Sequence, residues 1–319
     1  MNPKNVLLIG GSGFVGRWIA NRLYARGIRV TIPTRHRDRA KSLILLPNVN
    51  LVEANIHDTE VLTFVMRGVD AVINLVGILH DKESRAPYGK NFAATHVELP
   101  RKIVASMQQA GVRRLVHMSA LRANADAPSA YLRSKAAGEA LVLEASKDLE
   151  ITVFRPSVIF GQGDSFLTTF SCLLRLFPVL PMGATEARFQ PVYVGDVADA
   201  FVDSLSNSAT LGQVYELCGP QDYTLRELIN YTGELIGRRR PVIALPNALA
   251  YLQAIFLSWL PNPPMSPDNL RSMQLDSITD GQRNYPGWQP QPLEAMAPTY
   301  LSAVKLRQRL DGYRLRAGR

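Results

Sequence analysis

The chain has 319 residues, 46% hydrophobic and 20% charged, with a formal net charge of +9 at pH 7. This balance excludes an intrinsically disordered chain and supplies enough apolar residues for a large core, in one domain or two intimately joined ones. The two cysteines, Cys172 and Cys218, lie far apart without metal or redox spacing, so a reducing compartment, no disulfide framework and no metal site are expected.

Val6–Ile9 reads as a short buried strand that breaks into Gly10, Gly11, Ser12, Gly13, Phe14, Val15 and Gly16. Glycines at spacing three supply a tight turn, close approach of backbone to a pyrophosphate, and close packing of the next helix on the sheet. The first N–H groups of that helix then face the phosphates, where its dipole also favours negative charge. A helix over Phe14–Ala25 and a second strand over Ile28–Ile32 complete a βαβ unit. A site selective for NAD would place Asp or Glu at the end of the second strand, for the ribose 2′-hydroxyl. This chain has Thr34, Arg35, His36 and Arg37 there. With no acid and forked guanidinium donors, the pocket suits a 2′-phosphate, so NADP(H) is expected, with NAD(H) as the alternative.

Strand and helix patterns keep alternating: a third strand over Val49–Val52, a helix over Thr59–Met66, a fourth strand over Asp70–Gly77, a helix over His96–Ala110 stopping at Gly111, and a fifth strand over Arg114–Ser119. This order predicts a Rossmann-type doubly wound parallel α/β sheet, in which ligands bind at the carboxyl ends of the strands. Asn55, Val76, Gly77 and Ser119 should therefore line the same crevice as Gly10–Gly16. Tyr131 and Lys135 follow at the head of another helix, four residues apart and so on one face. An ammonium near a phenol lowers the phenol's pKa and lets it exchange a proton with a substrate oxygen during hydride transfer, while the lysine also reaches the nicotinamide ribose.

The glycine motif, the Tyr131–Lys135 pair and the strand order together resemble the extended and atypical short-chain dehydrogenases, the NAD-dependent epimerase/dehydratase-like group. The resemblance extends to Phe154–Gly161, where it implies that the backbone at Pro156, Ser157 and Val158 approaches the nicotinamide carboxamide. It also takes in Pro191–Ala198, with Asp196 as a helix N-cap, and a capping box over Thr224–Glu227. Within the group, Ser119–Glu139, Arg155–Gly161, Asp164–Leu167 and Gln190–Val194 are most similar to the NADPH-binding accessory subunits of respiratory complex I and their bacterial homologues. That likeness implies a cofactor held without turnover. Two positions depart from the enzyme pattern: Ser119 is followed by Ala120 rather than a second hydroxyl, and His96 stands where relatives commonly carry Asn. Ser119 is then either a substrate contact or the structural member of the usual pair, and His96 reads as a partly buried helix histidine.

Domain organisation reads as a core over 1–160 and a smaller lobe over 161–319, with 190–218 returning to complete the sheet. After Arg238, Arg239 and Arg240 no charged residue occurs until Asp268. A helix starting at Pro246 and closed by Pro261 is too short to span a bilayer, which takes about 20 residues. It is either buried in the lobe or rests an apolar face on a membrane or membrane complex. A short helix over Asp268–Leu275 follows, and an amphipathic helix over Leu293–Leu310 leads into a tail with six basic residues and one acid from Lys305 onward. No nucleic-acid motif accompanies this charge, so acidic lipid or an acidic partner is the expectation. The first strand begins by Val6, which predicts no targeting presequence and a cytoplasmic protein, peripheral on the inner face of a membrane if it binds one. Two functions fit: an NADP(H)-bound accessory or assembly factor of a membrane respiratory or quinone-related complex, and an NADP-dependent oxidoreductase or epimerase using Tyr131 with Lys135 on a small carbonyl, sugar-nucleotide or quinone-like substrate.

Overall fold

The computed structural model describes residues 3–81, 86–260 and 263–302. In chain order the first half runs β1 (Asn5–Ile9), α1 (Phe14–Ala25), β2 (Arg29–Thr34), β3 (Val49–Glu53), α2 (Thr59–Val65), β4 (Ala71–Asn74), α3 (Lys90–Phe92), α4 (Leu99–Ala110), β5 (Arg114–Met118), α5 (Ala130–Glu144) and β6 (Glu150–Pro156). The second half adds β7 (Ile159–Phe160), α6 (Phe166–Leu176), β8 (Leu180–Met182), β9 (Arg188–Phe189), β10 (Val192–Tyr193), α7 (Val194–Ser204), β11 (Gln213–Leu217), β12 (Tyr223–Thr224), α8 (Leu225–Leu235), β13 (Val242–Ala244), α9 (Asn247–Ser258), α10 (Pro267–Ser272), α11 (Leu293–Met296) and α12 (Pro298–Leu301).

Seven strands form one parallel sheet in the order β11-β6-β5-β4-β1-β2-β3. The chain order reverses direction between β1 and β4, which is where a doubly wound sheet opens a crevice at its carboxyl edge. Alternation along β1 sends Val6 and Leu8 to a core shared with Ile19, Leu23 and Phe201, and Leu7 and Ile9 to one shared with Leu62, Ile103 and Val142. A third core, with Phe160, Leu167, Phe170, Leu225 and Ile229, lies between α6 and α8.

Several expected boundaries move for identifiable reasons. β4 ends at Asn74 rather than Gly77 because the Asn74 side chain takes the Val76 N–H at 3.2 Å, turning the chain out of the sheet. The helix expected from His96 begins earlier, at α3, and passes through a π-helical stretch over Ala93–Glu98 before α4 ends at Gly111 in the left-handed conformation. Asp196 is not the N-cap of α7: Tyr193 holds that position, and Asp196 accepts the Gln291 N–H at 2.6 Å, fastening a later connector to the helix. The Thr224–Glu227 capping box is present. α9 takes Pro246 as its cap and buries only Ala250 and Ala254, so the fully buried alternative fails. Pro298 splits the C-terminal pattern into α11 and α12, and its continuation to Leu310 and the basic tail lie outside the described residues.

The π-helical stretch presses directly on α5. A Cβ placed on Gly138 would stand 1.8 Å from the His96 carbonyl oxygen, so only glycine permits this approach. Gly138→Ala is therefore expected to cost at least about 2 kcal/mol through overpacking, seen as a lowered urea midpoint. A variant as stable as the parent protein would show that the two helices separate easily.

Candidate functional site

The crevice is built from the carboxyl ends of β1, β2, β4 and β5 and the first turns of α1 and α5. α1 starts immediately after Gly13, with no side-chain cap, which leaves its first N–H groups directed into the crevice. It can start so close because position 16 lacks a side chain: a Cβ there would lie 2.5 Å from the Gly10 carbonyl oxygen. Ser12, Phe14 and Val15 line this turn half-buried, and Arg17 folds back to donate to the Ser12 carbonyl at 3.1 Å, a cation beside the loop that spacing arguments missed.

At the end of β2 the Thr34 hydroxyl donates to the His36 carbonyl at 3.2 Å, and Arg35 and Arg37 are exposed. Ala54 donates to the Thr34 carbonyl at 3.2 Å, which brings the exposed Asn55 to the same corner. The imidazole of His57 is pushed below its ordinary range by burial, then by the charges of Lys102 and Arg35, so Arg35 belongs to this corner as well.

The other end of the crevice gathers Gly77, His96, Ser119, Tyr131 and Lys135. A Cβ at Gly77 would be 3.6 Å from His96 Nε2 and 3.7 Å from Lys135 Nζ. Lys135 is buried and donates to the Met118 carbonyl at 2.8 Å; burial lowers its pKa to about 8, against a smaller raising effect of Glu139. The Tyr131 ring stands edge-on to Phe92 and His96, with centroids 6.1 and 5.7 Å away. Burial raises its pKa to about 12, contrary to the lowering expected from Lys135: the ammonium is committed to a backbone carbonyl, and desolvation governs the phenol. Ser119 Oγ is buried without a hydrogen-bond partner, an orphan beside this cluster that a bound polar group would satisfy.

His96 is almost fully buried rather than partly so. Its Nε2 accepts the Ile78 N–H at 3.0 Å, so the neutral ring carries its proton on Nδ1 and donates to Ser134 Oγ at 2.8 Å. Ser134 in turn donates to the Tyr131 carbonyl at 2.7 Å. One ring nitrogen thus holds the Ile78 backbone after β4 and the other holds Ser134 of α5, which leaves His96 a positioning residue. Asp268 of α10 also positions α5, accepting the N–H groups of Ala130 and Tyr131 at 2.8 and 2.9 Å. No sequence signal connects residues so far apart.

The remaining candidates are tied to the sheet edge. Pro156 accepts from Leu121 N–H at 3.0 Å, Ser157 N–H donates to Leu217 at 3.0 Å, and the Val158 carbonyl accepts from Val192 at 2.9 Å. The Ser157 hydroxyl donates to the Ser277 carbonyl at 3.1 Å, so a C-terminal segment covers it. Among the described residues no cluster of three or more His, Cys, Asp or Glu could hold a metal.

Comparison with known proteins is consistent with this arrangement. Residues 6–218 match the NAD dependent epimerase/dehydratase family, two thirds of the chain and all the crevice. The chain belongs to that family. It is 30% identical over 285 residues to the mitochondrial NADH dehydrogenase [ubiquinone] 1 alpha subcomplex subunit 9 of Arabidopsis thaliana, covering 85% of this chain and 69% of the relative. To the mouse subunit of the same name it is 33% identical over 232 residues, covering 70% of this chain but 59% of the relative. A ceramide reductase of Caulobacter vibrioides is 26% identical, over 76% of this chain and 74% of that protein. In fold it resembles a dTDP-glucose 4,6-dehydratase from Streptomyces venezuelae with NAD bound, at TM-score 0.73 and 19% identity over 93% of this chain and 95% of that one. Family and fold together support a nicotinamide dinucleotide as the ligand of the crevice.

The site carries a pH signature. Burial, with the Lys135 charge second, depresses His96 to about 2 and His117 to about 3. Each ring is neutral in the folded protein and protonated in the unfolded chain below its ordinary pKa near 6.5. Their contribution is therefore present above about 6.5 and is lost as pH falls toward 3, by up to about 1.4 kcal/mol per pH unit for each histidine. Urea unfolding between pH 6 and 4 should show a shallower loss in His117→Gln than in the parent protein; equal slopes would mean that His117 titrates normally.

Proposed function

We propose that the protein holds NADP(H) in the β1–α1 crevice and acts as a cofactor-bound accessory or assembly factor of a membrane respiratory or quinone-related complex. The observation that carries the cofactor choice is the end of β2, where Arg35 and Arg37 stand exposed and no acid occupies the position that would receive a ribose 2′-hydroxyl. In this reading Gly10–Gly16 and the start of α1 hold the pyrophosphate, and Arg35 and Arg37 take the 2′-phosphate with Asn55 at the adenosine end. Val76 and Gly77 flank the ribose, Lys135 and Tyr131 bind the nicotinamide ribose, and Ser119 and the Pro156–Val158 backbone meet the nicotinamide. The orphaned Ser119 hydroxyl and the buried Lys135 ammonium fit such a group, because both gain partners when it binds. When bound, the nicotinamide supplies hydride chemistry; the chain supplies binding and orientation.

Membrane linkage is supported by the respiratory-complex relatives and by the exposed apolar side of α9. An inner-face, cytoplasmic location and a membrane surface as partner belong to the same proposal. So does a division into a core over 1–160 and a lobe over 161–319, with 190–218 completing the sheet; the pairing of β11 with β6 and the separate apolar core between α6 and α8 support it.

A second reading, an NADP-dependent oxidoreductase or epimerase, is favoured by one observation: Lys135, one helical turn after Tyr131, donates to the Met118 carbonyl next to the unpartnered Ser119 hydroxyl. A phenol held near 12 stays protonated at neutral pH and is suited to donate a proton rather than accept one.

Two titrations test these readings. Arg35→Ala combined with Arg37→Ala is expected to weaken NADPH binding at least about tenfold, the loss of one charge-assisted phosphate contact, with NADH affinity changed less than about twofold. Equal weakening of both nucleotides, or tighter NADH than NADPH binding by the parent protein, would contradict the 2′-phosphate assignment. Tyr131→Phe should leave NADPH affinity within about threefold, since it removes one neutral hydrogen bond. If the variant also loses a measurable reductase activity of the parent protein, the oxidoreductase reading replaces the accessory one.

A further inference from the structure

α9 packs inward through a narrow stripe only. Ala250 and Ala254 are buried, a Cβ on Gly183 would lie 2.4 Å from Ala250 Cβ, and Gln253 donates to the Pro181 carbonyl at 3.0 Å. The rest of the helix is apolar and open: Leu249, Leu252, Phe256 and Leu260 are 48–58% exposed and Trp259 is 77% exposed. The parallel pairing of β13 with β8, together with the packing of α9 on β8, brings a second set to this end of the lobe: Phe177 and Ile243, about half exposed, and Leu176, 69% exposed.

Charge on this face is mainly positive. Residues 165–185 and 235–267 contain Arg175, Arg238, Arg239 and Arg240 and no Asp or Glu, with Asp164, Glu186, Glu234 and Asp268 at their borders. Arg238 and Arg239 are exposed just before β13, and Arg239 reaches Glu234 of α8 at 3.1 Å. Arg271 lies over the Tyr251 ring at 5.7 Å beside the helix, paired with Asp268 at 3.7 Å. Twelve residues of helix span about 18 Å, and no helix among the described residues is long and apolar enough to cross a membrane.

We propose that this face docks on an anionic bilayer surface. α9 lies in the plane of the interface, with Trp259 and Phe256 at the level of the headgroups and upper acyl chains, and Arg175, Arg238, Arg239 and Arg240 meet lipid phosphates. A lipid surface is favoured over a protein partner because the patch combines protruding aromatic and leucine side chains with an excess of cations, its nearest acids Glu234 and Asp268 being paired with Arg239 and Arg271. That pattern suits a fluid apolar layer under negative headgroups. The inference deepens the membrane-linked part of the reading above and is independent of the nucleotide.

The test uses the full chain with phosphatidylcholine vesicles, with and without phosphatidylglycerol, at low salt. Binding is expected to be at least about tenfold tighter to the anionic vesicles. It should be accompanied by a blue shift of tryptophan emission that Trp259→Phe abolishes. Phe256→Glu combined with Trp259→Glu should remove binding while circular dichroism and NADPH titration stay unchanged, whereas Leu45→Glu, at another exposed leucine, should bind normally. Absence of vesicle binding by the parent chain, or binding that survives the double glutamate change, overturns the proposal. So does self-association abolished by the same change without any binding to vesicles, which would put a second copy on the face. A parent chain that titrates NADPH normally but does not bind vesicles removes the docking inference alone; a parent chain that binds vesicles but no nucleotide removes the cofactor reading alone.

Discussion

The backbone contact between Gly16 on α1 and the Gly10 carbonyl fixes where the helix begins relative to the sheet. A side chain at position 16 would stand 2.5 Å from the Gly10 carbonyl oxygen and the Gly11 Cα, so α1 would have to move away and its uncapped N–H groups would no longer face the end of β1. From this one close approach follow the position of the crevice, the distance from the loop to the end of β2, and the packing of α1 on one side of the sheet. The partial positive charge of the helix start is then available to an anion, with the Arg17 guanidinium folded back onto the Ser12 carbonyl beside it.

The opposite end of the crevice is held by three separate devices that all act on α5. The His96 carbonyl sits against Gly138, the Ile78–His96–Ser134 chain of hydrogen bonds ends on the Tyr131 carbonyl, and Asp268 binds the first two N–H groups of the helix. Position is therefore over-determined, whereas ionisation is not tuned toward base catalysis. Tyr131 is pushed up to about 12, and Lys135 is spent on the Met118 carbonyl. A site that orients strongly and activates weakly is what a protein needs to retain a cofactor. The same groups would still serve as proton donor and ribose ligand in an enzyme.

Most of the sheet was legible in the sequence because buried parallel strands are continuous apolar runs separated by helical periods, and the glycine turn, the Tyr131–Lys135 pair and the Thr224–Glu227 capping box are local patterns. What could not be read depends on contacts distant along the chain. The role of His96 needed Ile78 and Ser134, the fastening of α5 needed Asp268, and the escape of Asp196 from its expected capping role needed Gln291. The direction of the Tyr131 pKa was misjudged for a related reason: spacing puts an ammonium on the same helix face but cannot say that a carbonyl on β5 will take it. For α9, composition alone left burial and exposure both open, since an uncharged, mostly apolar helix fits either; packing through Ala250, against Gly183, and Ala254 alone decides it.

The proposed retention of a 2′-phosphorylated dinucleotide in the crevice is tested most directly by the identity and stoichiometry of the nucleotide released when the purified full chain is denatured, read by mass spectrometry and absorbance. NADP(H) at close to one equivalent per chain is expected. Release of NAD(H) in its place, or an empty protein that takes up NADH and NADPH with equal affinity, would contradict it.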